Sequence, residues 1–529
     1  MRRRFVKPGT FPPKKPNFNL KKISAILAHA ILAGLIFSQP DQIFATDAAR
    51  PNVIIILADD LGYGDIGCYG ALPEHVLTPT MDRLASQGLR FTDAHAPSSV
   101  CTPSRYSLLT GEYAFRNQLA DGVIAGDAPL SITPGSFTLP AMFQKNGYAT
   151  AFVGKWHLGL AHGGDTIDWN GDIKPGPVEI GFDHAFFMPS TGDRVPTVLI
   201  RDHRVENLDP ADPIRVNYKK KIGNEPTGKE NPEEATVLLG ANNEGHQGTI
   251  TKGVSRIGWM TGGQAARWTD AELMNRLNAE AVCFIQDNQL KPFFLYFATH
   301  DIHEPRVPAT NYVGQSGCGI YGDQIMELDH AVNLVLKTLD DLKIADNTLV
   351  ILSSDNGGSL TDMKAYQYGV RANLHGHRVN GVLRGGKYSV WEGGTRVPMI
   401  VRWPGHVPAG NVSPALVSLT DMEASLARLI GVKLPEKAAT ESVDVLDALL
   451  GKSPVGRKEL LEHKSGKACA LREGNWKFID GKLFDLSRDL SETNNLAKEQ
   501  PERTKAMAAR LKELEDTDAS PSQAKTEIP

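Results

Sequence analysis

The sequence predicts an α/β sandwich, a large and mostly parallel sheet between helices, followed by a small C-terminal α+β subdomain with an antiparallel sheet. Three observations predict this fold: four apolar runs that end abruptly in polar side chains, helical stretches that separate these runs, and a change of pattern after about residue 405. Strands that alternate with helices are typical of parallel sheets, because each parallel connection needs a crossover.

The four apolar runs are the predicted core strands. They are NVIIILADD (52–60), YATAFVGKWH (148–157), PFFLYFATHDIH (292–303) and TLVILSSDNGG (348–358). Because their apolar residues are continuous and do not alternate with polar ones, the strands are expected to be buried on both faces. Helices are predicted at 79–87, 138–146, 269–288 and 322–342, with Thr269 as the N-cap of the third.

The N-terminal segment has the pattern of a secretory signal. Residues 1–22 contain eight Lys or Arg, and the apolar run ISAILAHAILAGLIF follows at 23–37. This run is shorter than the ~20 residues that a membrane span needs. We therefore predict a signal peptide over 1–45, a mature chain that begins near Arg50, and an exported protein, periplasmic or secreted, that leaves the membrane after cleavage. A membrane anchor is the alternative.

The sequence pattern after the predicted signal peptide divides the chain into three regions. We predict a catalytic α/β domain over 50–405, a C-terminal subdomain over 406–516 and a disordered tail over 517–529. The subdomain has helical stretches near 420–431 and 499–515. Its short strands lie in ACALREGNWKFIDGKLFDL (468–486), where Gly-Asn and Asp-Gly predict hairpin turns. Residues 203–262 are rich in Gly, Asn and Lys and predict an insertion near the active site; a flexible linker is the alternative.

Charge and cysteine content exclude two classes of protein. The formal net charge is −4, which argues against a general nucleic-acid binder. The chain has five cysteines, none of them in a C-x-x-C or similar zinc-binding spacing. Since an odd number leaves at least one thiol unpaired, the chain is not a disulfide scaffold.

Polar side chains at the ends of the predicted strands point to one site. Ligands bind beyond the carboxyl ends of parallel strands, so Asp59, Asp60, Asp355 and Asn356 are expected to share a pocket. Three carboxylates there need a cation, and oxygen ligands suit Ca²⁺ or Mg²⁺ better than zinc. Basic candidates surround this group: Arg105, Lys155, His157, His300 and Lys387. Such a basic ring indicates an anionic substrate, a phosphate or a sulfate ester.

The segment SSVCTPSRYSLLTG (98–111) resembles the signature of the type I sulfatases, C-x-P-S-R followed by L-T-G. Further blocks are similar to the same family in the same order: IILADDLGYGDIGCYG, GKWHLG, THDIHEPRVP, SSDNGG, LRGGKYSVWEGGTRVP and ALREGNWKFI. The chain most resembles the bacterial arylsulfatase-A-like members. The resemblance implies an alkaline-phosphatase-like sandwich and the hydrolysis of sulfate esters, with sulfated carbohydrates as the substrate class.

The resemblance also implies a modified nucleophile. Cys101 would be oxidised to Cα-formylglycine by a formylglycine-generating or sulfatase-maturating enzyme, and the hydrated aldehyde would attack sulfur. Residue 101 would join Asp59, Asp60, Asp355 and Asn356 in holding one divalent metal, Ca²⁺ or alternatively Mg²⁺.

The resemblance to the sulfatases also implies roles for the other site residues. Arg105 would hold the hydrate, Lys155 would bridge hydrate and sulfate, and His157 would be the base that triggers elimination. His300 and Lys387 would bind sulfate and protonate the leaving oxygen, with His303 as an alternative to His300. His375 and His377 are candidate sugar contacts, with a solvated loop as the alternative.

Two competing functions stay open at the sequence level. A phosphodiesterase or phosphonate monoester hydrolase of the same superfamily typically has His where this chain has Asn356, and neutral Asn favours the sulfatase. A non-catalytic sulfated-glycan binding protein is expected to have lost some site residues, and this chain has them all.

Overall fold

The structure, a computed structural model, describes residues 50–117, 120–236, 245–360, 374–464 and 468–517. The predicted signal peptide lies outside these residues, as does the predicted tail beyond residue 517. The described residues form one compact unit. Across the described part, no helix has both the length and the hydropathy to cross a bilayer.

The strands, labelled β1 to β20 in chain order, are Asn52–Ala58, Leu89–Phe91, Ala94–His95, Ala149–Lys155, His184–Met188, Ile200–Arg201, Arg204–Val205, Arg215–Asn217, Ile250–Thr251, Val254–Ser255, Trp259–Thr261, Phe293–Ala298, Thr348–Ser354, Met399–Arg402, Asn411–Ser413, Val417–Ser418, Glu459–His463, Ala468–Glu473, Trp476–Ile479 and Lys482–Asp485. The helices, α1 to α9, are Pro79–Ser86, Cys101–Thr110, Leu139–Lys145, Asp270–Asp287, Gly319–Asp341, Glu392–Thr395, Met422–Leu429, Leu446–Leu449 and Pro501–Asp516.

A large sheet forms the centre of the fold. Among the described residues it has ten strands, in the order β15-β2-β14-β13-β1-β12-β4-β5-β6-β7. The four predicted core strands are its central neighbours, β13, β1, β12 and β4, and they pair in parallel. Every residue of β1, β12 and β13 is buried, as their continuous apolar runs predicted. The predicted fold class is confirmed.

The helices largely follow the sequence prediction. Helices α1, α3, α4 and α5 lie where the pattern placed them. Thr269 occupies the N-cap position of α4, but its side chain makes no capping hydrogen bond. Helix α2, which begins at Cys101, was not predicted. All ten of its residues are buried, so it has no polar face that would give an amphipathic period.

The C-terminal region confirms the predicted antiparallel sheet, β17 to β20. Asp480 and Gly481 join β19 to β20 with φ values of 47° and 74°, as a two-residue hairpin turn of this kind requires. The large sheet includes a strand that comes later in the sequence than the predicted catalytic domain. Strand β15 pairs with β2, although residues 411–413 fall in the range predicted for the C-terminal subdomain. The position of the boundary between the two units stays a prediction.

A buried cluster of charges joins the small sheet to the rest of the molecule. Lys477 on β19 places Nζ 2.8 Å from Glu392 Oε1, 2.8 Å from Glu462 Oε2 and 3.3 Å from Glu492 Oε1, and all four side chains are fully buried. Burial by itself would lower the pKa of Lys477, but these carboxylates outweigh burial and raise it. The lysine is therefore a cation that three buried carboxylates share.

Removing this cation is expected to destabilise the protein. Lys477→Met should lower the free energy of unfolding by about 3–5 kcal/mol, because it leaves buried carboxylates without their partner. Denaturant unfolding measures the effect, with Lys452→Met, at an exposed lysine, as the control. Equal stability of the two variants would show that the cluster does not stabilise the fold.

Candidate active site

The predicted site residues lie at the carboxyl ends of the central strands. Asp59 and Asp60 follow β1, Asp355 and Asn356 follow β13, and Lys155 is the last residue of β4. The unpredicted helix α2 begins at this edge and carries Cys101 as its first residue and Arg105 one turn later. The topology thus collects side chains from distant parts of the sequence, as the rule for open α/β sheets requires.

The acidic residues form a compact buried nucleus. The backbone N–H of Asp60 donates to Asp355 Oδ1 at 3.2 Å, and Asn356 Nδ2 donates to Asp60 Oδ1 at 2.7 Å. Cys101 Sγ lies 3.7 Å from Asp59 Oδ1. Burial raises the pKa of Asp59 to about 7; Lys155 opposes this shift and Asp355 adds to it. So many buried carboxylates are costly without a cation.

The side chains of this nucleus fit a divalent metal ion. Asp59, Asp60, Cys101 and His303 each place one ligand atom so that all four atoms lie within 4.8 Å of one another. Asn356 Oδ1 is buried and has no hydrogen-bond partner among the described residues, which leaves a neutral oxygen available as a ligand. Carboxylate and amide oxygens are the ligands of a hard cation such as Ca²⁺ or Mg²⁺.

Basic side chains pack directly against the carboxylates. Lys155 Nζ lies 2.5 Å from Asp59 Oδ2, and Lys387 Nζ lies 2.8 Å from Asp60 Oδ2. Arg105 donates through Nε and Nη2 to Asp355 Oδ2, at 2.9 and 2.7 Å, and through Nη1 to the Lys155 carbonyl at 2.9 Å. Three fixed cations therefore line one side of the nucleus, where they can hold an anionic ester group.

Three histidines lie around this cluster. His157 contacts the Ile124 carbonyl through Nε2 at 3.1 Å, and burial, with Lys155, lowers its pKa well below the ordinary value. Burial, again with Lys155, lowers the pKa of His300 to about 3, and neither of its ring nitrogens has a partner among the described residues. His303 places Nε2 3.9 Å from Asp60 Oδ2. Neutral imidazoles at these positions can accept a proton or contact a substrate.

The structure places His377 in a buried position. Its Nε2 contacts buried Asp65 Oδ1 at 2.7 Å, and Asp65 also accepts a hydrogen bond from Tyr321 Oη at 2.7 Å. His377 thus supports the segment that follows Asp60, and its role in binding the sugar stays a prediction. His375 is exposed.

The sequence analysis missed the loop after β5. Hydrogen bonds at 3.1 Å from the backbone N–H groups of Trp156 and His157 to residues 188 and 189 hold this loop beside the site. It carries Ser190, buried with its hydroxyl unpartnered among the described residues, and Asp193. The signal was present in the sequence: the short apolar run HAFFM ends in the polar residues of PSTGDR, as the four longer runs do.

A buried acidic nucleus with a basic ring, at the carboxyl edge of such a sheet, defines the class of metal-dependent hydrolases of anionic esters. Comparisons with known proteins narrow this class. The family profile described as Sulfatase matches residues 51–432. An N-acetylgalactosamine-6-O-sulfatase of Bacteroides thetaiotaomicron is 43% identical over 488 residues, 88% of this chain and 94% of that protein. Arylsulfatase A of Homo sapiens is 31% identical over 499 residues, 88% of this chain and 85% of that protein.

A solved structure gives the same result. It comes from work on glycosaminoglycan metabolism by Bacteroides thetaiotaomicron and superposes with a TM-score of 0.84 at 44% identity, covering 88% of this chain and 99% of the other. The chain belongs to the sulfatase family, and the protein is a sulfatase. Members of this family generally use a formylglycine and a divalent metal, and the buried cluster described above is a possible site for that metal.

Proposed function

We propose that this sulfatase removes 6-O-sulfate groups from N-acetylgalactosamine-type sugars, with Cα-formylglycine derived from Cys101 as the nucleophile and one bound Ca²⁺. The observation that carries the chemistry is the contact of Cys101 with a fully buried carboxylate nucleus and its basic ring. The 43% identical relative, named for the same sugar and the same position, supports the choice of substrate.

Position 101 is unsuited to act as an ordinary cysteine nucleophile. Burial raises the pKa of the Cys101 thiol to about 12, which disfavours the nucleophilic thiolate. A formylglycine at this position supplies a hydrate with two hydroxyls, one to attack sulfur and one through which sulfate is afterwards expelled. Maturation requires a formylglycine-generating or sulfatase-maturating enzyme, which we propose as a partner.

The surrounding residues hold and orient the hydrate. Arg105 is fixed by Asp355 and the Lys155 carbonyl, so its guanidinium keeps one orientation beside residue 101. Lys155, whose Nζ lies 2.5 Å from Asp59 Oδ2, would bridge the hydrate and the sulfate. His157, a neutral imidazole, accepts the proton of the remaining hydroxyl during elimination.

Asp59, Asp60, Asp355 and Asn356, with residue 101, would hold the metal. A divalent cation polarises a sulfate oxygen and makes the hydrate more acidic. Ca²⁺ is our choice because it accepts irregular sets of oxygen ligands, whereas Mg²⁺ needs near-ideal octahedral geometry and usually keeps several waters. The ligand side chains are fully buried, which leaves little room for such waters.

We assign sulfate binding to Lys387 and His300, and protonation of the leaving oxygen to Lys387, because His300, with a pKa of about 3, is a neutral imidazole. Lys387 lies against Asp60, and His300 is buried beside the same pocket. Lys387→Ala should lower kcat on a sulfated sugar by about 10²–10³, as the loss of one electrostatic donor commonly does. The penalty should be smaller on nitrophenyl sulfate, whose leaving group needs little protonation.

Kinetics on both substrates measure this difference. Lys343→Ala, at an exposed lysine in a loop, is the control and should leave both reactions as they are. Equal losses on the sugar and the aryl ester would refute the leaving-group role of Lys387.

The chain is also proposed to be exported. A signal peptide over 1–45 supports a periplasmic or secreted location, where sulfated glycans from outside the cell are available.

A further inference from the structure

A loop packs directly against the proposed sulfate-binding histidine. Gly192 lies so close to His300 that a Cβ at this position would be 2.6 Å from Nε2 and 2.9 Å from Pro305 Cδ. Only glycine allows the backbone to approach this closely. Asp193 and Arg194, which follow Gly192, therefore lie next to the histidine that we propose to bind sulfate.

Asp193 and Arg194 form a polar cluster with His246. Arg194 Nη1 lies 3.0 Å from Asp193 Oδ1 and 2.6 Å from Thr191 Oγ1, and His246 Nε2 lies 3.2 Å from Asp193 Oδ2. The side chains of Asp193 and His246 are 4% and 5% exposed, whereas that of Arg194 is 14% exposed. The cluster is thus mostly desolvated but keeps part of the guanidinium accessible.

The insertion predicted over 203–262 holds this cluster in place. The Ile257 N–H donates to the Asp193 carbonyl at 2.7 Å, and the Val195 N–H donates to the Ile257 carbonyl at 3.1 Å. His246 comes from the same insertion and approaches Glu304 Oε1 at 3.7 Å. Two backbone hydrogen bonds and a side-chain contact therefore fix the insertion to the loop after β5, so the cluster is preorganised for a ligand.

Arg194 interacts electrostatically with His157, the proposed base. Its charge, after burial and Lys155, contributes to the lowered pKa of His157. Burial would lower the pKa of Arg194, but Asp193 raises it, with smaller contributions from Tyr218, Tyr388 and Cys101. No step of the proposed chemistry uses this guanidinium.

We infer that Asp193, Arg194 and His246 bind hydroxyl groups of the sugar ring that carries the sulfate. A guanidinium beside a carboxylate offers donors and an acceptor with little net charge, which suits a pair of neutral hydroxyls better than a second anion. This inference rests on the proposed function, because it names the residues that select the sugar. The sulfate itself is held elsewhere, by the lysines and His300.

The test compares two substrates, N-acetylgalactosamine 6-sulfate and nitrophenyl sulfate, which carries no sugar hydroxyl. For Arg194→Ala and for His246→Gln, the ratio of kcat/KM on the sugar to kcat/KM on the aryl ester should fall about 10- to 100-fold, the worth of a hydrogen bond to a charged group. Most of the fall should appear in KM for the sugar. Arg204→Ala, at a side chain 71% exposed and paired with Asp172, is the control and should keep the ratio of the wild type.

The outcomes separate this inference from the proposed function. A lower ratio with unchanged thermal unfolding supports the subsite. An unchanged ratio, or equal losses on both substrates, overturns it, because Arg194 would then act on the sulfate centre or only on the fold. A wild-type enzyme that hydrolyses nitrophenyl sulfate but no sulfated sugar would overturn the proposed substrate, and the subsite with it.

Discussion

Cys101→Ala should abolish sulfate ester hydrolysis while the fold remains intact. The loss should reach at least about 10⁴-fold in kcat, because removing a covalent nucleophile leaves only binding and electrostatic stabilisation. The side chain is buried and small, so its truncation should change the free energy of unfolding little. Steady-state kinetics and denaturant unfolding measure the two effects.

A second cysteine variant serves as the control, and mass spectrometry tests whether Cys101 is modified. Cys318→Ala removes another buried thiol, outside the site, and should keep full activity. Mass spectrometry of the tryptic peptide that ends at Arg105 should show the thiol sulfur of active enzyme replaced by aldehyde oxygen. Full activity with an intact thiol at position 101 would refute the mechanism.

Removal of the metal should have an effect of similar size. Chelation should stop turnover, Ca²⁺ should restore it, and Asp355→Asn should reduce kcat by at least about 10³-fold, since the substitution removes a charged ligand from a site that stabilises developing charge. Asn keeps the shape of the side chain but weakens its contact with Arg105, so the metal content of the variant must be measured together with its activity.

Elemental analysis supplies that measurement. We expect about one Ca²⁺ per chain in the wild type and much less in Asp355→Asn, because carboxylates dominate the affinity of oxygen sites. Asp346→Asn, at an exposed aspartate, should keep its metal. Two zinc ions per chain would instead support the phosphatase-like alternative.

The central sheet was predictable because its strands are long and buried on both faces. Strand β1, for example, is a run of seven residues with no exposed side chain, and β12 and β13 are similar. Strands β2 and β14 have three and four residues, too short for a pattern, and β14 pairs antiparallel with both β13 and β2. Helix α2 escaped prediction because burial on all sides removes the amphipathic period.

Part of the site was predictable because its residues directly follow these long, buried strands. Asp59 and Asp355 directly follow recognisable strands, and the edge rule for parallel sheets brings them together. The resemblance to the sulfatase family was needed to assign roles to the side chains, such as that of Lys387. His246 lies in an irregular insertion, and 53 residues of sequence separate it from Asp193. No local sequence pattern therefore predicts their contact. The contacts of Lys477 likewise depend on how the small sheet packs against Glu392 of α6 and Glu492 of a loop, which sequence periodicity does not describe.

The preference of the enzyme for sulfate esters over phosphodiesters is tested most directly by a comparison of two substrates. Matured enzyme should be given N-acetylgalactosamine 6-sulfate and a phosphodiester of matched leaving group, with release of inorganic sulfate and of the alcohol measured in parallel. The phosphodiesterase alternative typically has His at the position of Asn356, so Asn356, as a proposed neutral ligand, favours a sulfate ester. We predict that sulfate release has the larger kcat/KM. Faster cleavage of the phosphodiester than of any sulfate ester would contradict it.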